Sequence, residues 1–321
     1  MKKPAPLKIL ITTSSFAVAG NVHLTFLGER GFEIVLNPYG RKITPDELVP
    51  LLDDSVVGMI AGVESLSRAA LERAKGLKVI SRCGIGLESV DLEAALERGI
   101  RVVNTPDAPT AAVAELTIGL ILAALRRIAE ADRGIRAGHW QGLSGRLLGA
   151  CTVGLIGYGR IGRAVGGLAR AFGATTIACD PWVEANRLSP ADLPCPLVDL
   201  ATVLRQADVV SLHIPGGPDN DHLIDAARLG LMKKDAVLVN TARGDLIDEG
   251  ALFLALQGKQ LAAAALDVFS EEPYTGPLIT LPNVVLTSHL GSRARETRDR
   301  MENEAARNLV RELQATTLPT D

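Results

Sequence analysis

The sequence predicts an α/β protein of two parallel-sheet units, the second inserted into the first. Three observations carry that prediction. Short apolar runs alternate with helical patterns along the chain. The runs fall into two series, separated by a long helical stretch from Ala111 to about Ile128. A last helical stretch, Arg295–Leu313, follows the final run of the second series, and is expected to return to the first unit. The length agrees, because 321 residues correspond to about two domains at roughly 150 residues each.

In the first series Leu7–Ile11, Glu33–Leu36, Val56–Ala61, Leu77–Ser81 and Arg101–Val103 read as strands. They are apolar on both faces, as strands of a sheet covered on both sides must be. Between them Arg68–Ala74 and Leu92–Arg98 place Leu, Ala and charges at helical spacing. Each ends near a glycine, Gly76 or Gly99, that suits a helix C-cap. The second series is Thr152–Ile156, Thr176–Ala178, Val209–His213, Ala236–Val239, Ala262–Leu266 and Val284–Thr287. The crossings fall near Asn104–Pro109 and near Gly291. That gives a first unit of residues 1–104 and 292–321 and an inserted unit of residues 105–291. No repeat of 20–50 residues interrupts this reading.

Composition narrows the function. Hydrophobic residues make up 47% and charged residues 22%, which excludes a largely disordered chain. The net charge is −3 and aromatics are 3%, so neither a basic nucleic-acid footprint nor a base-stacking platform is expected. No apolar run is long enough for a membrane-spanning helix, and no membrane partner is expected. Met1-Lys2-Lys3 and Ala17-Val18-Ala19 imitate a signal peptide. Lys8 and Thr12-Thr13-Ser14-Ser15 break its apolar centre, so a first strand is the better reading. Cys83, Cys151, Cys179 and Cys195 form no C-x-x-C pair. Buried thiols in a reducing cytoplasm are expected, with no metal site and no disulfide.

The strongest local motif is Gly157-Tyr158-Gly159-Arg160-Ile161-Gly162, with an apolar strand before it and a helical pattern, Ala164–Phe172, after it. Gly157 permits a tight turn, Gly159 admits a pyrophosphate to the backbone, and Gly162 lets the helix pack closely on the strand. The pyrophosphate meets the positive end of the helix. Asp180 closes the second strand 18 residues beyond Gly162, where an acid binds the adenosine ribose hydroxyls. A carboxylate there repels a 2′-phosphate, and Pro181 and Trp182 offer no cation to hold one. The expected cofactor is therefore NAD, on a Rossmann-like or flavodoxin-like parallel sheet.

Three later strands end in groups that fit chemistry beside a nicotinamide. One runs into Asn240-Thr241-Ala242-Arg243-Gly244, one into Asp267-Val268-Phe269-Ser270-Glu271-Glu272-Pro273, and one into His289-Leu290-Gly291. In a parallel sheet these ends share one edge, together with the glycine-rich turn. A guanidinium can hold a carboxylate and polarise a ketone. An imidazole can exchange a proton with the developing alkoxide. A carboxylate on the other ring nitrogen fixes the tautomer and favours the charged form.

These segments, with Arg82-Cys83-Gly84-Ile85-Gly86-Leu87-Glu88-Ser89-Val90-Asp91 and Leu212-His213-Ile214-Pro215, resemble the D-isomer-specific 2-hydroxyacid dehydrogenase family, near its D-3-phosphoglycerate dehydrogenase-like branch. The resemblance implies Arg243, Glu272 and His289 as catalytic residues. It implies NAD contacts along Gly157, Tyr158, Gly159, Arg160, Ile161 and Gly162. Further cofactor contacts are implied at Asp180, His213-Ile214-Pro215, Thr241-Ala242-Arg243, His289 and Gly291, with Asp267 beside the nicotinamide carboxamide. Arg82, Cys83, Gly84, Ile85 and Gly86 would bind the substrate carboxylate through an anion nest of backbone N–H groups, together with Arg243. The implied reaction moves a hydride between NAD(H) and a small 2-hydroxy or 2-keto acid, foremost 3-phospho-D-glycerate. Glyoxylate or hydroxypyruvate reduction is the alternative within the class. A non-enzymatic NAD(H)-sensing protein of the corepressor type is the alternative outside it. The helix from Ala111 resembles the family's dimer arm, so a homodimer is implied. The sequence departs from the family at Gly216-Gly217-Pro218, where a Leu-Thr or polar stretch is usual, and at Ser292-Arg293-Ala294-Arg295. The short stretch Trp140–Ala150 holds one cation, Arg146.

Overall fold

A computed structural model describes residues 6–13, 16, 21–184, 189–192 and 194–317. Ala17–Ala19, part of the imitated signal peptide, lie outside the described residues. The chain divides into two compact units, Met1–Pro109 with Ala294–Asp321, and Thr110–Arg293. The sequence places the first boundary at Asn104. Thr105 instead exchanges hydrogen bonds with Gly84, its Oγ1 accepting from Gly84 N–H at 2.8 Å and its N–H donating to Gly84 O at 3.1 Å. That tie holds the start of the crossing segment in the first unit.

The first unit contains β1 (Lys8–Ile11), α1 (Val22–Gly28), β2 (Glu33–Leu36), α2 (Pro45–Leu48), β3 (Val56–Ala61), α3 (Arg68–Arg73), β4 (Val79–Arg82), α4 (Leu92–Glu97) and β5 (Arg101–Val103). The strands form a sheet of order β2-β1-β3-β4-β5, with every pairing parallel. Alternate side chains face opposite sides. Ile9, Ile60 and Val79 pack in one buried cluster with Met301, Ala305 and Leu309 of the last helix. Leu10, Met59 and Ile80 pack on the other side with Leu71 and Ala94. Both faces are covered, so the strands carry no polar stripe.

The second unit contains α5 (Thr110–Leu125), α6 (Ile128–Arg136), β6 (Thr152–Ile156), α7 (Arg160–Ala171), β7 (Thr175–Cys179), α8 (Leu200–Gln206), β8 (Val209–Leu212), α9 (Ala226–Leu229), β9 (Val237–Asn240), α10 (Glu249–Gln257), β10 (Ala263–Leu266) and β11 (Val284–Leu286). Its sheet has the order β11-β10-β9-β8-β6-β7, again with every pairing parallel. Asp91, Asp199, Asp225 and Asp248 each accept the backbone N–H three residues on and so cap α4, α8, α9 and α10. The chain returns to the first unit as α11 (Arg295–Thr317), whose Ala305 carbonyl accepts from Ser81 Oγ at 2.9 Å.

The long helix expected from Ala111 to about Ile128 is α5, which ends at Leu125. Arg127, with φ of 53°, separates it from α6, a second helix that the sequence reading did not place. The Arg127 guanidinium turns to Glu130 at 2.7 and 2.8 Å. The two helices also differ in burial: α5 has a largely buried face, and α6 has no buried residue.

At the amino-terminal edge of the second sheet, Asp208 accepts from Thr152 N–H at 2.8 Å and pairs with Arg146 and Lys233, each at 3.1 Å. Burial raises its pKa, but these donors outweigh it and hold the carboxyl below its ordinary value. Replacing Asp208 by Ala leaves two cations and a strand N–H without that acceptor. The expected cost is about 1–3 kcal/mol, and a thermal melt is expected to show a Tm several degrees lower.

Candidate active site

The carboxyl ends of the six parallel strands place the second unit's functional loops on one edge. The β6–α7 turn is built on Gly157, whose φ is 94°. A Cβ there would stand 2.4 Å from the His213 carbonyl, so the turn lies flat against the loop that follows β8. Gly159 has open space around its Cβ position, and α7 starts immediately after it, at Arg160. This open cradle over a helix N-terminus fits a pyrophosphate. Arg160 is exposed and Ile161 half-buried.

Tyr158 corrects the sequence reading. Its ring is fully buried beneath the turn, with the hydroxyl donating to Asp192 O at 3.0 Å, and its N–H is given to Asp180 Oδ2 at 2.7 Å. The side chain is core, and burial pushes the phenol up to about 12. Asp180 Oδ1 accepts from Trp182 N–H at 2.9 Å. Each carboxylate oxygen retains acceptor capacity, so Asp180 can still receive ribose hydroxyls.

The loop His213-Ile214-Pro215 follows β8, with His213 N–H bonded to Ile156 O at 2.7 Å. The imidazole Nε2 is buried without a partner among the described residues. Burial pushes this imidazole down to about 3, so it is neutral at physiological pH.

After β9, Asn240 builds the next turn. Its side-chain amide donates to Arg243 O at 2.7 Å, and its Oδ1 accepts from Ala242 N–H at 3.0 Å. Thr241 Oγ1 is buried and 2.9 Å from Thr117 Oγ1 of α5. Arg243 is half-buried, and its Nη1 donates to Ala242 O at 2.7 Å. Sequence reasoning assigned no role to the Asn240 side chain or to Thr117. An Asn directly after a strand is the signal for such a side-chain-built turn.

The tightest construction surrounds Asp267, which is fully buried after β10. Its carboxylate accepts from Thr287 Oγ1 at 2.6 Å, Leu290 N–H at 2.7 Å and Gly291 N–H at 2.8 Å. Its carbonyl accepts from His289 N–H at 2.9 Å. His289 has φ of 56° within this clamp. The His289 Nδ1 lies 2.9 and 3.2 Å from the two Glu272 oxygens. An ionised carboxylate only accepts, so Nδ1 carries the hydrogen and Nε2 is the acceptor nitrogen of the neutral ring. The structure thus joins Glu272 to His289. Arg243 stands at the same edge, at the end of β9, two strands from β11.

In the first unit, the loop after β4 differs from a simple anion nest. Cys83 N–H is bonded to Ala61 O at 2.9 Å, and Gly84 N–H to Thr105 Oγ1 and Arg82 O. These two amides are therefore committed to the fold. Of Cys83–Gly86, Ile85 and Gly86 have N–H groups with no hydrogen bond among the described residues. Arg82 is buried and its Nη1 donates to Cys83 O, so the guanidinium braces the loop from below. The Cys83 thiol is buried and pushed up to about 11, which makes it unreactive. Among the described residues no three His, Cys, Asp or Glu side chains gather into a metal site, and no helix is long and apolar enough to cross a membrane.

A parallel sheet with a dinucleotide cradle and a His–Glu pair on one edge defines a nucleotide-dependent α/β protein. Comparison with known proteins agrees. Residues 118–291 match the NAD binding domain of the D-isomer specific 2-hydroxyacid dehydrogenases. The chain is 42% identical over 257 residues to a D-3-phosphoglycerate dehydrogenase of Methanocaldococcus jannaschii, covering 79% of this chain and 49% of that one. It is 39% identical over 298 residues to a hydroxypyruvate reductase of Thermotoga maritima, covering 89% of this chain and 96% of that one. The crystal structure of the TT0316 protein from Thermus thermophilus superposes with a TM-score of 0.87 at 41% identity, covering 96% and 97% of the two chains. The chain belongs to the D-isomer specific 2-hydroxyacid dehydrogenase family. It spans about half the length of the phosphoglycerate dehydrogenase it matches.

The buried, neutral His213 has a measurable consequence. Its folded pKa lies below the unfolded value of 6.5, so the unfolded chain binds the extra proton. Stability from this group is complete above pH 6.5 and declines as pH falls toward the folded value. Melts of the wild type and of His213→Gln at pH 7 and pH 5 are expected to show a steeper acid loss for the wild type. The difference should be on the order of 1 kcal/mol.

Proposed function

We propose that the protein is an NAD-dependent D-2-hydroxyacid dehydrogenase, moving a hydride between NAD(H) and a small 2-hydroxy or 2-keto acid. The observation that carries this reading is the His289–Glu272 pair, with Nδ1 held at 2.9 Å and Nε2 left for substrate. Bound NAD supplies the hydride acceptor or donor. The chain's own residues do the rest. In oxidation, neutral His289 takes the substrate hydroxyl proton at Nε2, and Glu272 stabilises the imidazolium that forms. In reduction, the same nitrogen returns the proton to the developing alkoxide. Arg243 holds the substrate carboxylate and keto oxygen. In the first unit, the Ile85 and Gly86 amides are proposed as backbone donors to an anion. Asp180 receives the adenosine ribose hydroxyls and disfavours a 2′-phosphate.

The first substrate to test is 3-phospho-D-glycerate, from the motif resemblance and from the relative of that name. Hydroxypyruvate is the second reading, favoured because the hydroxypyruvate reductase is matched over 96% of its length and the phosphoglycerate dehydrogenase over 49%. A homodimer is proposed through the segment from α6 onward, where Ile128, Ile135, Trp140 and Leu147 are exposed.

Absorbance of NADH with a panel of 2-keto acids, phosphorylated and not, tests the reaction class. Turnover on none of them would leave the NAD(H)-sensing alternative. His289→Gln is expected to lower kcat at least about a hundredfold; near-normal kcat would remove His289 from the acid–base role. Asp180→Ala is expected to raise the KM for NAD several-fold and to relax discrimination against NADP. Initial rates with both cofactors read this directly.

A further inference from the structure

The departure Gly216-Gly217 has a structural counterpart in Asp245, which follows Arg243 by two residues. Asp245 Oδ2 accepts from Gly217 N–H at 2.9 Å. A Cβ on Gly216 would stand 2.6 and 2.7 Å from the two carboxylate oxygens, so the carboxylate can lie here only because that position is glycine. The other oxygen, Oδ1, is buried and has no hydrogen-bond partner among the described residues. The same loop carries a second such atom, His213 Nε2. An orphaned carboxylate oxygen out of water is costly, and the groups that satisfy it are hydroxyl or N–H donors.

The sheet order says which donor can arrive. The pyrophosphate cradle is at the end of β6, and Asp180 reads the adenosine side at the end of β7. The His289–Glu272 pair belongs to the loops after β10 and β11. A dinucleotide spanning these points must cross the ends of β8 and β9. Strands lie about 4.8 Å apart, so those ends are roughly 5–10 Å from β6, within reach of the sugar next to the pyrophosphate. Asp245 links the loops after these two strands.

We propose that Asp245 is a cofactor-positioning residue whose Oδ1 accepts a hydroxyl of the ribose on the nicotinamide side of NAD. This rests on the dinucleotide site described above. An O–H to carboxylate bond is charge-assisted and stronger than a neutral one. Gly216 keeps the acceptor in place. Asp245 thereby fixes the sugar that carries the reacting ring, while Asp180 fixes the sugar that does not react.

Two fragments of the cofactor separate this role from a structural one. ADP ends at the pyrophosphate, whereas ADP-ribose adds the second sugar without the ring. Both are titrated calorimetrically into the whole protein. In the wild type ADP-ribose is expected to bind more tightly than ADP. Asp245→Ala is expected to weaken ADP-ribose about tenfold while ADP changes less than twofold. Gly216→Ala, which displaces an intact carboxylate, is expected to show the same selective loss. Asp245→Asn, which retains one acceptor oxygen, is expected to recover part of it. Equal weakening of both fragments by Asp245→Ala would make Asp245 a staple of the 213–217 loop and overturn the proposal, as would no weakening of either. A wild type that binds ADP tightly with no gain from the second sugar overturns the proposal alone. A wild type that binds neither fragment overturns the dinucleotide site with it.

Discussion

The chemistry of the second unit depends on one buried carboxylate. Asp267 accepts three donors through its side chain, and its carbonyl accepts the N–H of His289. Two of the side-chain donors are backbone N–H groups in the turn that carries the imidazole. Burying a charge without such donors would be prohibitive, and with them it becomes a rigid point in the low-dielectric interior. The ring at His289 inherits that rigidity. Its φ of 56° is costly for a non-glycine residue, and the clamp is what maintains it. Glu272 then sets the remaining freedom by fixing which nitrogen carries the hydrogen.

The two-sheet architecture was legible because its signals are local. Strands apolar on both faces, helices between them and a glycine motif at a strand-to-helix junction are all contained in short windows. The gathering of an Arg, carboxylates and a His on one edge was legible for a different reason. A parallel sheet puts its carboxyl ends on one edge whatever the intervening lengths, while the choice of Glu272 as the partner of His289 came from the motif resemblance.

What the sequence concealed lies in long-range hydrogen bonds. Asp267 reads as one more acid at a strand end, and nothing in its neighbourhood announces that Thr287, Leu290 and Gly291 fill its oxygens. Tyr158 occupies an open position of the glycine motif, yet its ring goes inward because the floor of the turn is core. Gly84 reads as a free backbone donor until Thr105, from the crossing segment, takes its N–H. The break at Arg127 was hidden because apolar and basic residues continue the helical pattern through it. In each case the deciding partner is distant in sequence or the deciding angle is a single residue's.

Exposure separates what holds the fold from what is proposed to perform the reaction. The His289 and Glu272 side chains are 49% and 38% exposed, where an ion pair contributes little to stability. A pair in that setting does not explain itself as scaffolding. Asp267 and Asn240, almost wholly buried, bind mainly to the turns on either side of the edge. The arrangement is layered: buried polar groups shape the loops, and the loops present half-exposed groups outward. The Oδ1 of Asp245, without a hydrogen-bond partner among the described residues, belongs to neither layer as it stands. It is buried like the first and open in valence like the second, the combination expected of a group whose partner arrives with a ligand.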